Sequence, residues 1–143
     1  MSPTAGVFLA DKSAWERQGH GSVSAAWDQA VYENRIVTCA AVRYEILYSA
    51  RNVEEYDAVS SVLASFRDLP VTVSVQRAAL AAMRELAATG PLHHRIPLPD
   101  LLIGATAAAA GIPVVHCDAH FDRIAEVVGF ESRWLVPADD LGG

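Results

Sequence analysis

Residues 99–118, PDLLIGATAAAAGIPVVHCD, read as a helix, a stop and a buried strand that runs out onto an acid. Pro99 and Asp100 suit a first helical turn, where proline's fixed φ and missing N–H cost nothing and a carboxylate meets the positive end of the helix dipole. The apolar, small-residue run predicts a helix over Leu101–Ala110, with Gly111 as its C-terminal stop. Pro113–His116 then predicts a strand, and Asp118 an N-cap for a helix running to about Val128. A strand entered from one helix and left into another is the repeating unit of an α/β fold.

The flanking sequence repeats that alternation. Val7–Ala10 is a short apolar run ending at Asp11, which predicts a buried strand, and Ser13–Arg17 a brief helical turn. Ser22 is a plausible N-cap for a helix to about Asn34, with Val23, Ala26, Trp27, Ala30 and Val31 on one face, and Arg35–Thr38 predicts a second strand. Ala40–Ala50 reads as a helix, as does a stretch capped by Asn52 that runs to about Asp68. Leu69–Val73 is expected to be the third strand, and Val75–Thr89 a helix stopped by Gly90-Pro91. Arg133–Val136 closes the series as the last strand. The pattern predicts an α/β sandwich around a mostly parallel sheet, in which functional groups gather beyond the carboxyl ends of the strands.

Composition narrows the class. A chain of 143 residues, 52% hydrophobic and 20% charged, fits one compact domain over 1–143 and excludes the low-hydropathy signature of disorder. Met1–Ala10 has no cationic segment before its apolar stretch, and Leu101–Val115, interrupted by Gly104, Gly111 and Pro113, is shorter than the roughly 20 residues that a spanning helix needs. The expectation is a cytoplasmic protein with no membrane association. Cys39 and Cys117 form neither a CxxC pair nor a disulfide framework, and read as reduced, packed thiols. The formal charge of −6 argues against phosphate neutralisation alone as the way to bind a polyanion, since a protein that worked so would normally carry a basic surface. Local arginines or bound metal would have to do that work.

Four acids have positions that allow convergence. Asp11 follows the first strand, Asp118 follows the fourth, Asp100 stands at the start of the helix leading into the fourth, and Glu45 shares a helical face with Ala41 and Tyr48. Taken singly, Asp11, Asp100 and Asp118 also suit ordinary helix N-termini, and Glu45 an ion pair with Arg43 or Arg51. Taken together, four carboxylates at one place raise each other's pKa and call for a hard divalent cation such as Mg²⁺ or Mn²⁺. Such an ion activates water and stabilises charge on a phosphodiester.

The order Asp11-Lys12-Ser13, Glu45, Pro99-Asp100 opening a small-residue helix, and Asp118-Ala119-His120-Phe121-Asp122 after a strand resembles the PIN-domain pattern of VapC-type toxins, over nearly the whole chain. The resemblance implies a three-layer α/β/α sandwich and an endoribonuclease using Mg²⁺, for which Mn²⁺ substitutes. It also implies a homodimer and inhibition by a small VapB-like antitoxin. Asp11, Glu45, Asp100 and Asp118 then take the places of the acidic quartet, with Asp11, Asp100 and Asp118 on the metal. Ser13 is the nearby hydroxyl, and Asp122 and His116 are outer-shell positions, His116 standing where the family often has a hydroxyl residue.

Other residues admit other readings. His116, Cys117 and His120 around Asp118 offer zinc-type donors, but without the second pair of soft ligands a structural zinc site uses. His93, His94 and Arg95, in a proline-bounded loop, are either RNA contacts or solvent-facing side chains. Trp15, Trp27 and Trp134 fit a core or dimer interface better than base-stacking platforms. Neither a phosphate-cradling glycine loop nor a serine nucleophile elbow is present. A DNase of the related flap-nuclease type shares the acids but is expected to need a longer chain. The competing reading from another class is a non-catalytic module on the same fold.

Overall fold

The computed structural model describes residues 2–141. Its first strand, β1 (Phe8–Ala10), is followed by helices α1 (Lys12–Arg17) and α2 (Ser24–Tyr32), then β2 (Ile36–Cys39), α3 (Ala40–Tyr48) and α4 (Val53–Ala64). After β3 (Arg67–Leu69) come α5 (Val73–Thr89), α6 (Leu98–Ala110), β4 (Val114–His116), α7 (His120–Val128), β5 (Ser132–Trp134) and a 3₁₀ turn at Ala138–Asp140. Among the described residues, five strands form one sheet of order β3-β2-β1-β4-β5, with every pairing parallel. The chain winds outward from β1 through β2 to β3, then crosses back through α5 and α6 to lay β4 on the other side of β1. Strand order therefore reverses between β1 and β4, the place where open parallel sheets build their sites.

Strand alternation divides the core into two faces. Leu9, Val37 and Val114 join the cluster that packs α3, α5, α6 and α7 through Val42, Leu86, Ile103 and Ile124. Phe8, Ala10, Ile36 and Val115 join the opposite cluster with Ala14 of α1, Trp27 and Ala30 of α2, Leu135 and Val136. The central strands are buried along their full length because helices cover both faces, which gives the expected α/β/α layering. Cys39 is buried and Cys117 half-buried, both are free thiols, and burial pushes both up from the ordinary thiol pKa. Trp15 stands edge-on to Trp27 and to Phe66, so these two tryptophans are core aromatics. No helix among the described residues is long and apolar enough to cross a membrane.

Several boundaries differ from the sequence expectation, for local reasons. The third strand lies at Arg67–Leu69 rather than at Leu69–Val73, and α4 stops at Ala64 rather than near Asp68. Pro70 has no N–H for the ladder, and the Thr72 hydroxyl caps α5 by accepting from the backbone N–H of Val75 at 3.1 Å, so the apolar run from Leu69 to Val73 is split between a strand end and a helix start. Ser22 does not cap α2. Its hydroxyl pairs with His20 Nδ1 at 2.8 Å, and α2 starts at Ser24 without a side-chain cap. Asn52 does cap α4, through Glu55 N–H at 2.8 Å. Helix α6 begins at Leu98, which leaves Asp100 inside its first turn, and Gly111 ends it in the left-handed conformation at φ 68°.

The close approach of α6 to its neighbours depends on Gly104. A Cβ there would lie 2.8 Å from both Ile124 Cγ2 and Phe130 Cε1. Ile124 is fully buried and Phe130 nearly so, so neither yields freely. Gly104→Val is expected to lower stability by about 1–3 kcal/mol through overpacking. Urea unfolding checks this, and an unchanged midpoint would show that the helix has room to shift.

Candidate metal centre

Asp11 leaves the carboxyl end of β1, its own N–H bonded to the Val115 carbonyl at 3.0 Å, and serves as the N-cap of α1. Its Oδ2 accepts from the Ser13 backbone N–H at 3.0 Å and from the Ser13 hydroxyl at 2.6 Å. Ser13 Oγ in turn accepts from the Cys117 backbone N–H at 2.9 Å, which ties the start of α1 to the segment leaving β4 and fixes Asp11 relative to Asp118. That arrangement uses one oxygen of Asp11 and leaves Oδ1 buried with no hydrogen-bond partner.

The other acids close around it. Asp11, Glu45 and Asp100 each offer an oxygen, and these atoms all lie within 4.8 Å of one another; Asp100, Asp118 and His120 form a second such group. A cleft of about 200 Å³ is lined by Asp11, Glu45, Asp100 and Asp118 together with Lys12, Ser13, Glu16 and Pro97. Asp11 and Asp100 are only 4% and 3% exposed, and Glu45 also carries a buried, unpartnered oxygen, Oε1. The ion pair proposed between Glu45 and an arginine does not form: Arg43 turns to Asp68 at 3.3 Å and Arg51 to Glu55 at 3.0 Å.

Electrostatics follow from that burial. Desolvation, with the Asp11, Glu45 and Asp118 charges adding, pushes Asp100 up to about 8. Desolvation and the charge of Asp11 push Glu45 up to about 7, against an opposing contribution from Lys12. Asp11 is also raised by burial, with the Ser13 hydrogen bonds holding it partly down. Clustered, desolvated carboxylates with orphaned oxygens are unfavourable by themselves and fit an all-oxygen donor set for a hard divalent cation.

The model of the PIN domain family matches residues 7–127. The chain belongs to the PIN-domain family. Its relatives include Ribonuclease VapC18 of Mycobacterium tuberculosis, 38% identical over 94% of this chain and 99% of that protein, and Ribonuclease VapC51 of the same organism, 35% identical over 94% and 96%. Among solved structures it is similar to a DNA-bound VapBC from Salmonella typhimurium, with a TM-score of 0.72 at 14% identity over 92% of this chain and 99% of that one. VapBC-5 from Mycobacterium tuberculosis aligns with a TM-score of 0.66 at 22% identity, over 90% of this chain and 98% of that one.

Within this PIN domain the quartet read from the sequence, Asp11, Glu45, Asp100 and Asp118, comes together with Ser13. Asp122 and His116 stand behind it. The Asp118 backbone N–H donates to His116 Nδ1 at 3.1 Å, so His116 carries its proton on Nε2 and donates to Ser132 Oγ at 2.6 Å. The Ser132 hydroxyl donates to Asp122 Oδ1 at 2.6 Å, and Trp134 Nε1 donates to Asp122 Oδ2 at 3.0 Å. Burial holds the His116 imidazole down at about 4, and therefore neutral, against the pull of Asp122 and Asp118. With both ring nitrogens engaged, His116 has no free donor for the zinc arrangement considered from its spacing to Cys117 and His120.

Ser132 and Trp134 lie 14 and 16 residues beyond Asp118, and no local motif marks them as part of this site. His120 comes closer to the acids than its spacing suggests, with Nδ1 3.0 Å from Asp118 Oδ1 and 3.5 Å from Asp100 Oδ2. Helical position was the available signal, since His120 opens α7 two residues after Asp118. His93, His94 and Arg95 are not among the cleft-lining residues. His93 is exposed and pairs with Thr89 Oγ1 at 2.9 Å, its carbonyl accepting from Arg123 at 2.9 Å. His94 is half-buried and Arg95 exposed, in the segment that ends at the cleft residue Pro97.

Proposed function

We propose that this chain is the toxin of a VapBC-type toxin–antitoxin pair, an endoribonuclease that hydrolyses RNA phosphodiester bonds at the acidic cleft with a divalent cation. The observation that carries the reading is the set of buried carboxylates with unpartnered oxygens at the β1/β4 switch point, in a chain 38% identical to a ribonuclease. Asp11, Asp100 and Asp118 would hold Mg²⁺, with Mn²⁺ able to substitute, because all three offer oxygen and, among the described residues, none is ion-paired with a lysine or arginine. When bound, the cation polarises the scissile phosphate and acidifies a coordinated water.

The chain's own groups do the remaining work. Ser13 holds Asp11 in orientation, so that the carboxylate loses little freedom when it engages a ligand. Glu45, which lines the cleft and whose Oε1 is buried without a hydrogen-bond partner, takes the proton of the attacking water at that oxygen. His116 and Asp122 steady Asp118 through its backbone N–H and through Ser132. His93, His94 and Arg95 supply contacts to RNA phosphate or an unstacked base beside the Pro97 edge of the cleft.

A VapB-like antitoxin would inhibit by placing a basic side chain in the acidic cleft, where it replaces the cation's charge. The exposed apolar side chains Tyr44, Leu80 and Leu98, around a groove between α3, α5 and α6, supply area for a homodimer to bury. The chain's acidity and its lack of a spanning helix among the described residues accord with a cytoplasmic site of action.

The experiment is cleavage of total cellular RNA by the antitoxin-free chain with Mg²⁺ or Mn²⁺ against EDTA, with Asp11→Asn protein alongside. Asparagine keeps an oxygen to cap α1, so the variant is expected to fold, and to lose cleavage. Discrete metal-dependent fragments from wild type alone are the expected result. Cleavage undiminished in Asp11→Asn would overturn the site, and no cleavage by folded wild type with either metal would favour a non-catalytic module.

A further inference from the structure

The two groups of donor atoms in the cleft share Asp100, and the second is not purely acidic: it brings the His120 imidazole to Asp100 and Asp118. His120 Nδ1 is buried although the ring is 39% exposed, and it has no hydrogen-bond partner. It lies 3.0 Å from Asp118 Oδ1, but that oxygen already accepts the backbone N–H of His120 at 3.0 Å, and the ring nitrogen meets it without hydrogen-bond alignment. Asp100 Oδ2, the other neighbour, is 3.5 Å away. A nitrogen so placed is oriented toward two carboxylate oxygens and satisfied by neither.

These separations match a shared cation. Adjacent ligands on an octahedral ion with bonds near 2.1 Å stand roughly 3 Å apart. The surrounding chain fixes the backbone that carries the ring, because His120 is the first residue of α7, anchored by its own N–H to Asp118, while Asp118 is held by His116 from behind.

We infer that His120 is a metal ligand through Nδ1, completing with Asp100 and Asp118 a second cation position beside the all-oxygen one proposed at Asp11 and Asp100. The inference rests on the proposed metal centre and deepens it by assigning a donor of different chemistry. Imidazole suits Mn²⁺ better than it suits Mg²⁺, whose preference is for oxygen. Two positions of unequal donor sets therefore give the site a built-in discrimination: the all-oxygen position at Asp11 and Asp100 accepts either ion, and the His120 position favours Mn²⁺. For the ring to serve, its proton sits on Nε2.

The test is pulsed EPR of the full chain, freed of metal and then loaded with Mn²⁺ in a nitrogen-free buffer. The expected result is a ¹⁴N coupling on bound Mn²⁺ that is replaced by a ¹⁵N coupling when the protein is labelled with ¹⁵N-histidine, and that disappears in His120→Ala. The same substitution is expected to weaken Mn²⁺ binding at one position by about tenfold or more while leaving Mg²⁺ binding within about twofold. The labelled wild type shows histidine ligation without any substitution, and the variant assigns it to His120. Bound Mn²⁺ without histidine nitrogen coupling, or with coupling that persists in His120→Ala, would overturn the inference and leave the acidic centre standing. Mn²⁺ that stays in solution would overturn both.

Discussion

Asp100→Asn protein is expected to be folded, to melt at a higher temperature than wild type when both are metal-free near pH 8, and to cleave RNA at least about 100-fold more slowly. The opposite signs come from one cause. Asp100 is 3% exposed, has Asp11, Glu45 and Asp118 for neighbours, and is pushed up to about 8 by burial and by their charges. Without a cation it is kept in the fold against its own solvation preference, at a cost on the order of a few kcal/mol. An amide of the same shape avoids that cost and can donate to the neighbouring carboxylates. It cannot supply the negative charge that a cation requires. Losing a group that merely orients a metal ligand costs 10–100-fold in many metalloenzymes, and Asp100 belongs to both donor groups of the cleft, so the loss here is expected at or beyond the upper end of that range. Thermal melts and single-turnover cleavage measured on the same preparations check both halves. A variant that is less stable than wild type and equally active would contradict the account.

The metal-free chain is expected to lose stability as pH rises from about 6.5 to about 8, and added Mn²⁺ to restore it. Asp100 is raised from 3.8 to about 8 and Glu45 from 4.5 to about 7, so across this window the folded chain holds protons that the unfolded chain has released. Stability falls with pH wherever the folded state binds more protons, by a little over 1 kcal/mol per unit for one such group. His116, lowered from 6.5 to about 4, works in the opposite direction, but its window lies below 6.5. A cation competes with the same protons, so its effect is expected to grow with pH. At 100 times its Kd it adds about 2.7 kcal/mol, or roughly 5–10 °C for a chain of this size. Melting curves near pH 6.5 and pH 8, with EDTA and with Mn²⁺, provide the check. A metal-free midpoint that rises across this interval, or a metal-induced shift no larger at the higher pH, would contradict the electrostatic account.

Legibility in the sequence followed how local the physics was. The stretch from Pro99 to Asp118 was readable because a proline and an acid at a helix start, a glycine at its end and a four-residue apolar run are each decided within one turn or strand. The convergence of Asp11, Glu45, Asp100 and Asp118 on one cleft was readable for a related reason: each sits where a local element ends or shows one face, and four weak positions in order reinforce one another. The third strand was misplaced because Leu69–Val73 has the composition of a strand, whereas the outcome turned on Pro70 lacking a donor and on Thr72 capping α5. Arg67–Leu69, polar and largely exposed at the sheet edge, became the strand by pairing with Val37–Cys39, a contact that no local pattern announces. The bracing of His116 by Ser132, Asp122 and Trp134 was invisible for the same reason, since it joins β4, α7 and β5 only once the sheet has formed.

The most direct measurement of the central claim is anomalous diffraction from crystals of the full chain grown with Mn²⁺. The account predicts a strong manganese peak in the cleft, within bonding distance of carboxylate oxygens of Asp11 and Asp100. Crystals with well-ordered Asp11, Glu45, Asp100 and Asp118 side chains and no peak among them, or with manganese only elsewhere on the molecule, would contradict it.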